Sequence, residues 1–278
     1  MKNLDIFQDI LNLQNQLFSV NQIKFMPQTK LNALILAAGY GTRLKRVGEK
    51  TAKGLFKNKQ NLSILDLILQ KLNKSTHLDQ IALVTNDRFF HQYQDHLQTN
   101  HPTANITLLN DDSTHPDNRL GSLGDLCFAV NQLNWLNKNL LVLPSDRTPE
   151  DIISGIITDY QKQPGSFIVA VSKSTKERIK NKSGCAVIEN DQQIIEFEEK
   201  PINPKSDYLA LPFYLFPKEA LILLNQYKTA GNNMDSPGNI VPWLIANNFP
   251  VYAHITNKNS FDIGDLSELK EYQQNYSA

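Results

Sequence analysis

Cysteine is almost absent: the 278 residues contain 2, Cys127 and Cys185. That is too few for a disulfide framework or a Cys-based zinc site. Both are expected as buried free thiols in a reducing, cytoplasmic setting. An excess of either charge is also missing, since Lys+Arg and Asp+Glu both number 28 and the net charge is +0. A general nucleic-acid binder normally carries a basic excess, so no nucleic-acid partner is expected, although a local basic pocket stays open. No stretch approaches the roughly 18 apolar residues of a membrane span, and no membrane partner is expected. Asp5, Gln8 and Asp9 interrupt any signal-peptide run at the start. The six histidines, among them His91, His96 and His115, show no H-E-x-x-H or comparable metal spacing. Ser145 lacks the G-x-S-x-G elbow of a serine hydrolase.

The chain is 41% hydrophobic and 20% charged, enough for a substantial core. Residues 3–20 carry apolar side chains at mainly helical spacing, which predicts an amphipathic helix. It is too poor in Lys and Arg to read as a membrane-surface helix. From Leu31 the texture changes. LNALILAA is a near-continuous apolar run, as in a parallel strand covered on both faces. Further strands are expected at 80–85, 105–110, 139–143 and 166–171, separated by helices at 62–72, 87–98, 123–136 and 149–161. Strands alternating with helices imply right-handed βαβ units and a doubly wound α/β sheet. After Val171, residues 184–189 and 193–198 flank the turn-forming Asn190-Asp191 and read as a hairpin. A strand at 208–216, helices at 218–226 and 240–247, a strand at 251–256 and a last helix capped by Asp265 complete the pattern.

The loop after the first strand, Leu36-Ala37-Ala38-Gly39-Tyr40-Gly41-Thr42-Arg43-Leu44, lies where open α/β sheets bind ligands. Small residues let the backbone approach a ligand and leave N–H groups for phosphate oxygens. Leu44 stands where a dinucleotide loop needs its third glycine, and no G-x-x-x-x-G-K-[ST] is present. Arg43 can hold phosphate bidentately and Lys53 can add a point charge. By themselves these features are also compatible with a plain turn beside two incidental basic residues.

The loop resembles the opening signature of the sugar-1-phosphate nucleotidyltransferases: an apolar strand, then A-A-G-x-G-T-R-L, then Pro-Lys about ten residues on. Ala52 stands where the family usually has the proline. The resemblance covers roughly residues 31–270. It includes Leu143-Pro144-Ser145-Asp146, Gly184-Cys185-Ala186-Val187-Ile188 with Glu196-Phe197-Glu198-Glu199-Lys200-Pro201, and Phe261-Asp262-Ile263-Gly264.

This resemblance implies a Rossmann-like, doubly wound mixed, mostly parallel sheet with an inserted sugar-binding hairpin. It divides the chain into an N-terminal helical extension at 1–30 and a nucleotidyltransferase domain at 31–278. Within that domain, 31–171 would bind nucleotide and 172–278 sugar. It implies Mg²⁺-dependent transfer of a nucleoside monophosphate from an NTP to a sugar 1-phosphate, releasing pyrophosphate. Arg43, Lys53, Asp146 and Lys200 would be catalytic. Ala37, Ala38, Gly39, Gly41, Thr42, Asn110 and Gly121 would contact the nucleotide, and Gly184, Glu199 and Lys200 the sugar phosphate. Asp146 and Asp262 would hold the metal, as hard oxygen ligands suited to Mg²⁺. Outside the resemblance, Asp146 equally suits a helix N-cap, Asp262 a turn before Gly264, and Lys200 a solvated position in an acidic run. Two other readings keep the fold: transfer to a non-sugar phosphate such as choline or polyol phosphate, and a non-catalytic sugar-nucleotide-binding protein. The base, the sugar and the role of the 1–30 extension, including a homo-oligomer contact, stay open.

Overall fold

The structure, a computed structural model, describes residues 30–258 and 260–276; the helix expected at 3–20 lies outside them. The first strand, β1 (Leu31–Leu36), is buried on both faces and pairs in parallel with β2 (Leu78–Thr85) and β4 (Leu140–Pro144). The continuous apolar run of the sequence therefore has its cause in a central sheet position. Strand β3 (Ile106–Asn110) extends this sheet in parallel beyond β2. On the other side β8 (Tyr208–Phe216) runs antiparallel to both β4 and β5 (Phe167–Lys173), and β9 (Val251–Thr256) pairs in parallel with β5. The order is β3-β2-β1-β4-β8-β5-β9. The hairpin of β6 (Cys185–Ile188) and β7 (Ile194–Glu198) hangs from β8 through β6. This is the doubly wound α/β class that the alternating pattern predicted, with the mixed, mostly parallel sheet that the resemblance implied.

Proline shapes β8. Pro212 cannot donate to a ladder, and the β5–β8 register slips between Val169 and Val171 opposite the residues around it. The resulting bulge brings Pro212 to the edge of the cleft described below.

Helix α1 (Lys45–Lys50) is short, and α2 (Ile64–Asn73) starts at a capping box of Ser63 and Asp66. Helix α3 (Asp87–Asn100) follows β2 and α4 (Ser122–Gln132) precedes β4. The remaining helices are α5 (Ile152–Lys162), α6 (Lys176–Ile179), α7 (Lys218–Thr229), α8 (Ile240–Ala246) and α9 (Leu266–Asn275). Leu65, Ile68, Leu69 and Leu72 of α2 pack into the core with Ile35 and Leu143; truncating such a residue to alanine costs about 2–5 kcal/mol. Both cysteines are buried and free, and burial pushes the Cys127 thiol up to about 11. Asp265 caps α9 with Glu268, as expected. The helix expected from residue 149 begins at Ile152 with Asp151 at its N-cap, so Asp146 is not a cap. The polar stretch 111–118 is pinned at its start, where Asp111 and Ser113 are buried. Among the described residues no helix is long and apolar enough to cross a membrane.

Candidate active site

The end of β1 is held from both neighbouring strands. Ala37 N–H donates to the Val84 carbonyl at 2.8 Å and Ser145 N–H to the Leu36 carbonyl at 3.0 Å. From the end of β2, Thr85 donates to the Ala37 carbonyl at 3.2 Å and the Asn86 side chain to the Ala38 carbonyl at 2.9 Å. Asn86 also caps α3 by accepting the Phe89 N–H. These bonds fix Ala37 and Ala38 and leave Gly39 exposed, with no atom within 4 Å of where a Cβ would stand. Tyr40 turns inward, its hydroxyl donating to Ser113 Oγ at 3.0 Å and its ring lying under Arg88. Gly41 is left-handed at φ 62, and Leu44 is fully buried. The residue that rules out a dinucleotide loop thus anchors this one in the core. The sequence offered no reason to single out Gly48, yet a Cβ there would lie 2.3 Å from the Gly41 carbonyl oxygen.

Lys53 opens a 3-10 turn, Lys53–Leu55, tucked under the loop. Ala52 has φ −58, the torsion a proline would impose. Its N–H, which proline lacks, donates to Gln92 Oε1 at 3.0 Å, and Gln92 Nε2 donates to the Lys50 carbonyl at 2.9 Å. Gln92 of α3 thus supplies the restraint that proline would give. The next residue of α3, Tyr93, is buried behind Gly54; a Cβ on Gly54 would stand 2.9 Å from the Tyr93 hydroxyl and from the Ser145 carbonyl.

Lys53 Nζ lies 3.0 Å from Asp146 Oδ2. Beyond β4 the chain pairs with the segment before α9: Thr148 N–H donates to the Phe261 carbonyl at 2.9 Å and Ile263 N–H to the Asp146 carbonyl at 3.0 Å. This short antiparallel contact sets Arg147 opposite Asp262, and Arg147 Nη2 lies 2.8 Å from Asp262 Oδ2. Burial pushes the Asp262 carboxyl above the usual carboxylate range; Arg147 opposes this and the Asp146 charge adds to it. Two carboxylates 116 positions apart in number thus share one electrostatic environment beside Lys53. Arg43 extends over Gly264, where a Cβ would stand 3.6 Å from Nη1.

Lys53 and Asp146 line a cleft of about 210 Å³ together with Ala37, Ala38, Gly39, Ser122, Asp125, Ser236 and Pro237, whereas Arg43, Arg147 and Asp262 stand outside its lining. Gly121, at φ 79, packs its Cα face against Met234 and Asp235, where any side chain would collide. Ser122, the first residue of α4, makes no side-chain cap. Glu199 accepts from the Ser236 hydroxyl at 3.4 Å, and burial raises its carboxyl. The space next to Gly184 is taken by the Phe197 ring and Glu199 Oε2. Lys200 is exposed at φ 51, at the end of the hairpin and outside the cleft lining. Asn110 also stays outside it, bonded to Asp87 and to the Asp112 N–H.

Sequence reasoning gave no role to Asp125. It is buried in the first turn of α4 and faces Asp111, and burial followed by the Asp111 charge pushes its carboxyl up to about 8. Oδ1 of Asp125 and Oδ2 of Asp111 make no hydrogen bond among the described residues. A charged residue four places after Gly121 in an otherwise apolar helix face was the available signal.

The family model for nucleotidyl transferases matches residues 32–278. A glucose-1-phosphate adenylyltransferase of Clostridium novyi (strain NT) is 24% identical over 263 residues, 88% of this chain and 66% of that protein. Another, from Lachnospira eligens, is 31% identical over 120 residues, 42% of this chain and 27% of its own. The chain therefore spans less than two thirds of the length of these curated relatives. A crystal structure of a Bacillus anthracis protein described as a glucose-1-phosphate thymidylyltransferase, in complex with sucrose, has the same fold. Its TM-score is 0.72 at 20% identity, covering 87% of this chain and 93% of that one. The resemblance carried by the loop, the two aspartates and the hairpin is borne out by the family match, and the chain belongs to the nucleotidyl transferase family.

Proposed function

We propose that this chain transfers a nucleoside monophosphate from an NTP to a sugar 1-phosphate, with Mg²⁺, giving an NDP-sugar and pyrophosphate. The observation that carries this reading is the Lys53–Asp146 pair in the lining of the cleft beside Ala37–Gly39, with Asp262 in the same electrostatic environment. The donor set fits a divalent cation: both carboxylates are partly open to solvent, at 30% and 39% exposure, and offer hard oxygen ligands. When bound there, the cation would neutralise phosphate charge.

The loop backbone and Arg43 would hold the triphosphate, with Lys53 placed to stabilise the charge that builds on departing pyrophosphate. A sugar-phosphate oxygen would attack the α-phosphorus as the α–β phosphoanhydride bond breaks. The reaction needs positioning and cations more than a covalent nucleophile. Glu199, tied to the cleft through Ser236, would accept hydrogen bonds from sugar hydroxyls. Lys200 would have to swing toward the cleft to hold the sugar phosphate. In this reading 31–171 is the nucleotide part and 172–278 the sugar part. The Clostridium novyi and Lachnospira eligens relatives are both glucose-1-phosphate adenylyltransferases by name, so a hexose 1-phosphate is the first acceptor to try.

A thermal-shift screen of NTPs and sugar nucleotides with Mg²⁺ tests the reading. A ligand at 100 times its Kd raises stability by about 2.7 kcal/mol. One base should stand out, and its effect should vanish in Lys53→Met. A screen in which no nucleotide moves the transition contradicts the proposal.

A further inference from the structure

Away from the cleft, α2 and α3 meet at a cluster that spacing alone did not reveal. Asp66 in the first turn of α2, His96 in α3 and His101 at the end of α3 each place one ligand atom within 4.8 Å of the others. Both imidazoles approach the same oxygen: His96 Nε2 lies 2.8 Å and His101 Nε2 2.7 Å from Asp66 Oδ1. The side chains are 8% (His96), 17% (His101) and 9% (Asp66) exposed. We propose that Asp66, His96 and His101 form a binding site for a zinc-class divalent transition metal ion, separate from the Asp146–Asp262 pair.

Two imidazole nitrogens and one carboxylate suit zinc and its neighbours, whereas Mg²⁺ prefers oxygen alone. Three protein ligands leave a fourth position for water, and the partial exposure of His101 supplies an entry path.

The surroundings hold the ligands in place. Asp66 Oδ2 accepts the Ser63 N–H at 2.7 Å, which fixes the carboxylate and leaves Oδ1 to the histidines. Asn100 Nδ2 lies 3.0 Å from His96 Nδ1. A side-chain amide can present either end, so Asn100 can accept from Nδ1–H once Nε2 is ligated, as outer partners of metal-binding histidines do.

Each Nε2–H now points at Oδ1; on ligation each neutral ring carries its proton on Nδ1 instead, and both Nε2 lone pairs face the ion. The two Nε2–Oδ1 distances, now 2.7 and 2.8 Å, would open to about 3.4 Å around a tetrahedral ion held at about 2.1 Å. That is a change within reach of side-chain torsions. Because α3 also carries Gln92 and Tyr93, which brace Ala52 and Gly54, the ion would stiffen the helix behind the Lys53 turn.

The test is titration of chelator-treated, full-length protein with Zn²⁺ by calorimetry and with Co²⁺ by visible absorption. With excess Mg²⁺ present to occupy the Asp146–Asp262 pair, a single equivalent should bind, with the intense visible bands of tetrahedral Co²⁺. His101→Ala should abolish these bands, and Asn100→Ala should weaken Zn²⁺ binding on the order of 10-fold. Asp146→Asn should keep the full signal. The proposal is overturned if the unmodified protein shows neither saturation nor bands. It is equally overturned if binding survives His101→Ala with the fold intact by circular dichroism, or is lost in Asp146→Asn.

Discussion

Lys53 Nζ and Asp146 Oδ2 lie 3.0 Å apart, so the cation beside the Ala37–Leu44 loop and the carboxylate just beyond β4 compensate each other. The pair is 12% and 30% exposed, and the Lys53 charge also offsets the Asp262 carboxyl. Lys53→Met should lower turnover on the order of 10²–10³-fold in a variant that still folds by circular dichroism. Unchanged pyrophosphate release in that variant would remove Lys53 from the chemistry.

Two loop glycines should separate stability from binding. Gly48→Ala drives a Cβ to 2.3 Å from the Gly41 carbonyl, and overpacking of this kind costs about 1–3 kcal/mol. Gly39→Ala meets no atom within 4 Å, so its stability should stay within about 0.5 kcal/mol of the parent. Its nucleotide affinity should fall, because the added methyl occupies the open side of the loop. Urea denaturation alongside calorimetric nucleotide titration reads both effects; the opposite pattern would place the ligand elsewhere.

Asp125 should make stability depend on pH. Its carboxyl keeps its proton to about pH 8 in the folded state, against 3.8 for the ordinary group. Between those values the unfolded chain binds fewer protons, so stability falls as pH rises through that window and levels off above pH 8. The accumulated cost is several kcal/mol, at about 1.4 kcal/mol for each pH unit crossed. Asp125→Asn should match the parent near pH 4 and exceed it progressively toward pH 8. Parallel denaturation profiles for the two proteins would show that Asp125 ionises normally.

Much of the architecture was legible because burial wrote it into the residues. The run LNALILAA is apolar throughout because β1 is covered on both faces, and Asn190-Asp191 marks a hairpin because the turn needs it. Ala37–Gly39, Lys53 and Asp146 line one cleft, and Asp262 joins them through the pairing of residues 146–148 with 261–263. That pairing is long-range and leaves no local periodicity. Asp125 and the Asp66–His96–His101 cluster were illegible for the same reason, since each gains its character from a partner on another element, whereas Gly48 is set by the tight turn that brings it against the Gly41 carbonyl. Lys200 matched a motif position and Asn110 was placed only by its nearness to a strand end; both stand outside the cleft lining, as do Gly41, Thr42, Arg43, Gly121, Gly184, Glu199 and Asp262.

Ala52 offers a check on the departure from the family pattern. Its φ of −58 suits proline, whereas its N–H bond to Gln92 does not. Restricting the unfolded chain contributes about 0.4–1 kcal/mol, and losing one hydrogen bond costs about 0.5–1.5 kcal/mol. Ala52→Pro should therefore change stability by less than about 1 kcal/mol. Gln92→Ala should cost more in the parent than in Ala52→Pro, a difference that a double-mutant cycle measures. Equal costs in the two backgrounds would show that Gln92 does not replace the proline.

Nucleotidyl transfer beside Lys53, Asp146 and Asp262 is read as pyrophosphate release from a panel of NTPs paired with sugar 1-phosphates in the presence of Mg²⁺, using the parent protein and Asp146→Asn. Release is expected with at least one pair, dependent on both substrates, and is expected to be lost in Asp146→Asn with the fold retained. No release with any pair, or equal release by the variant, would contradict it.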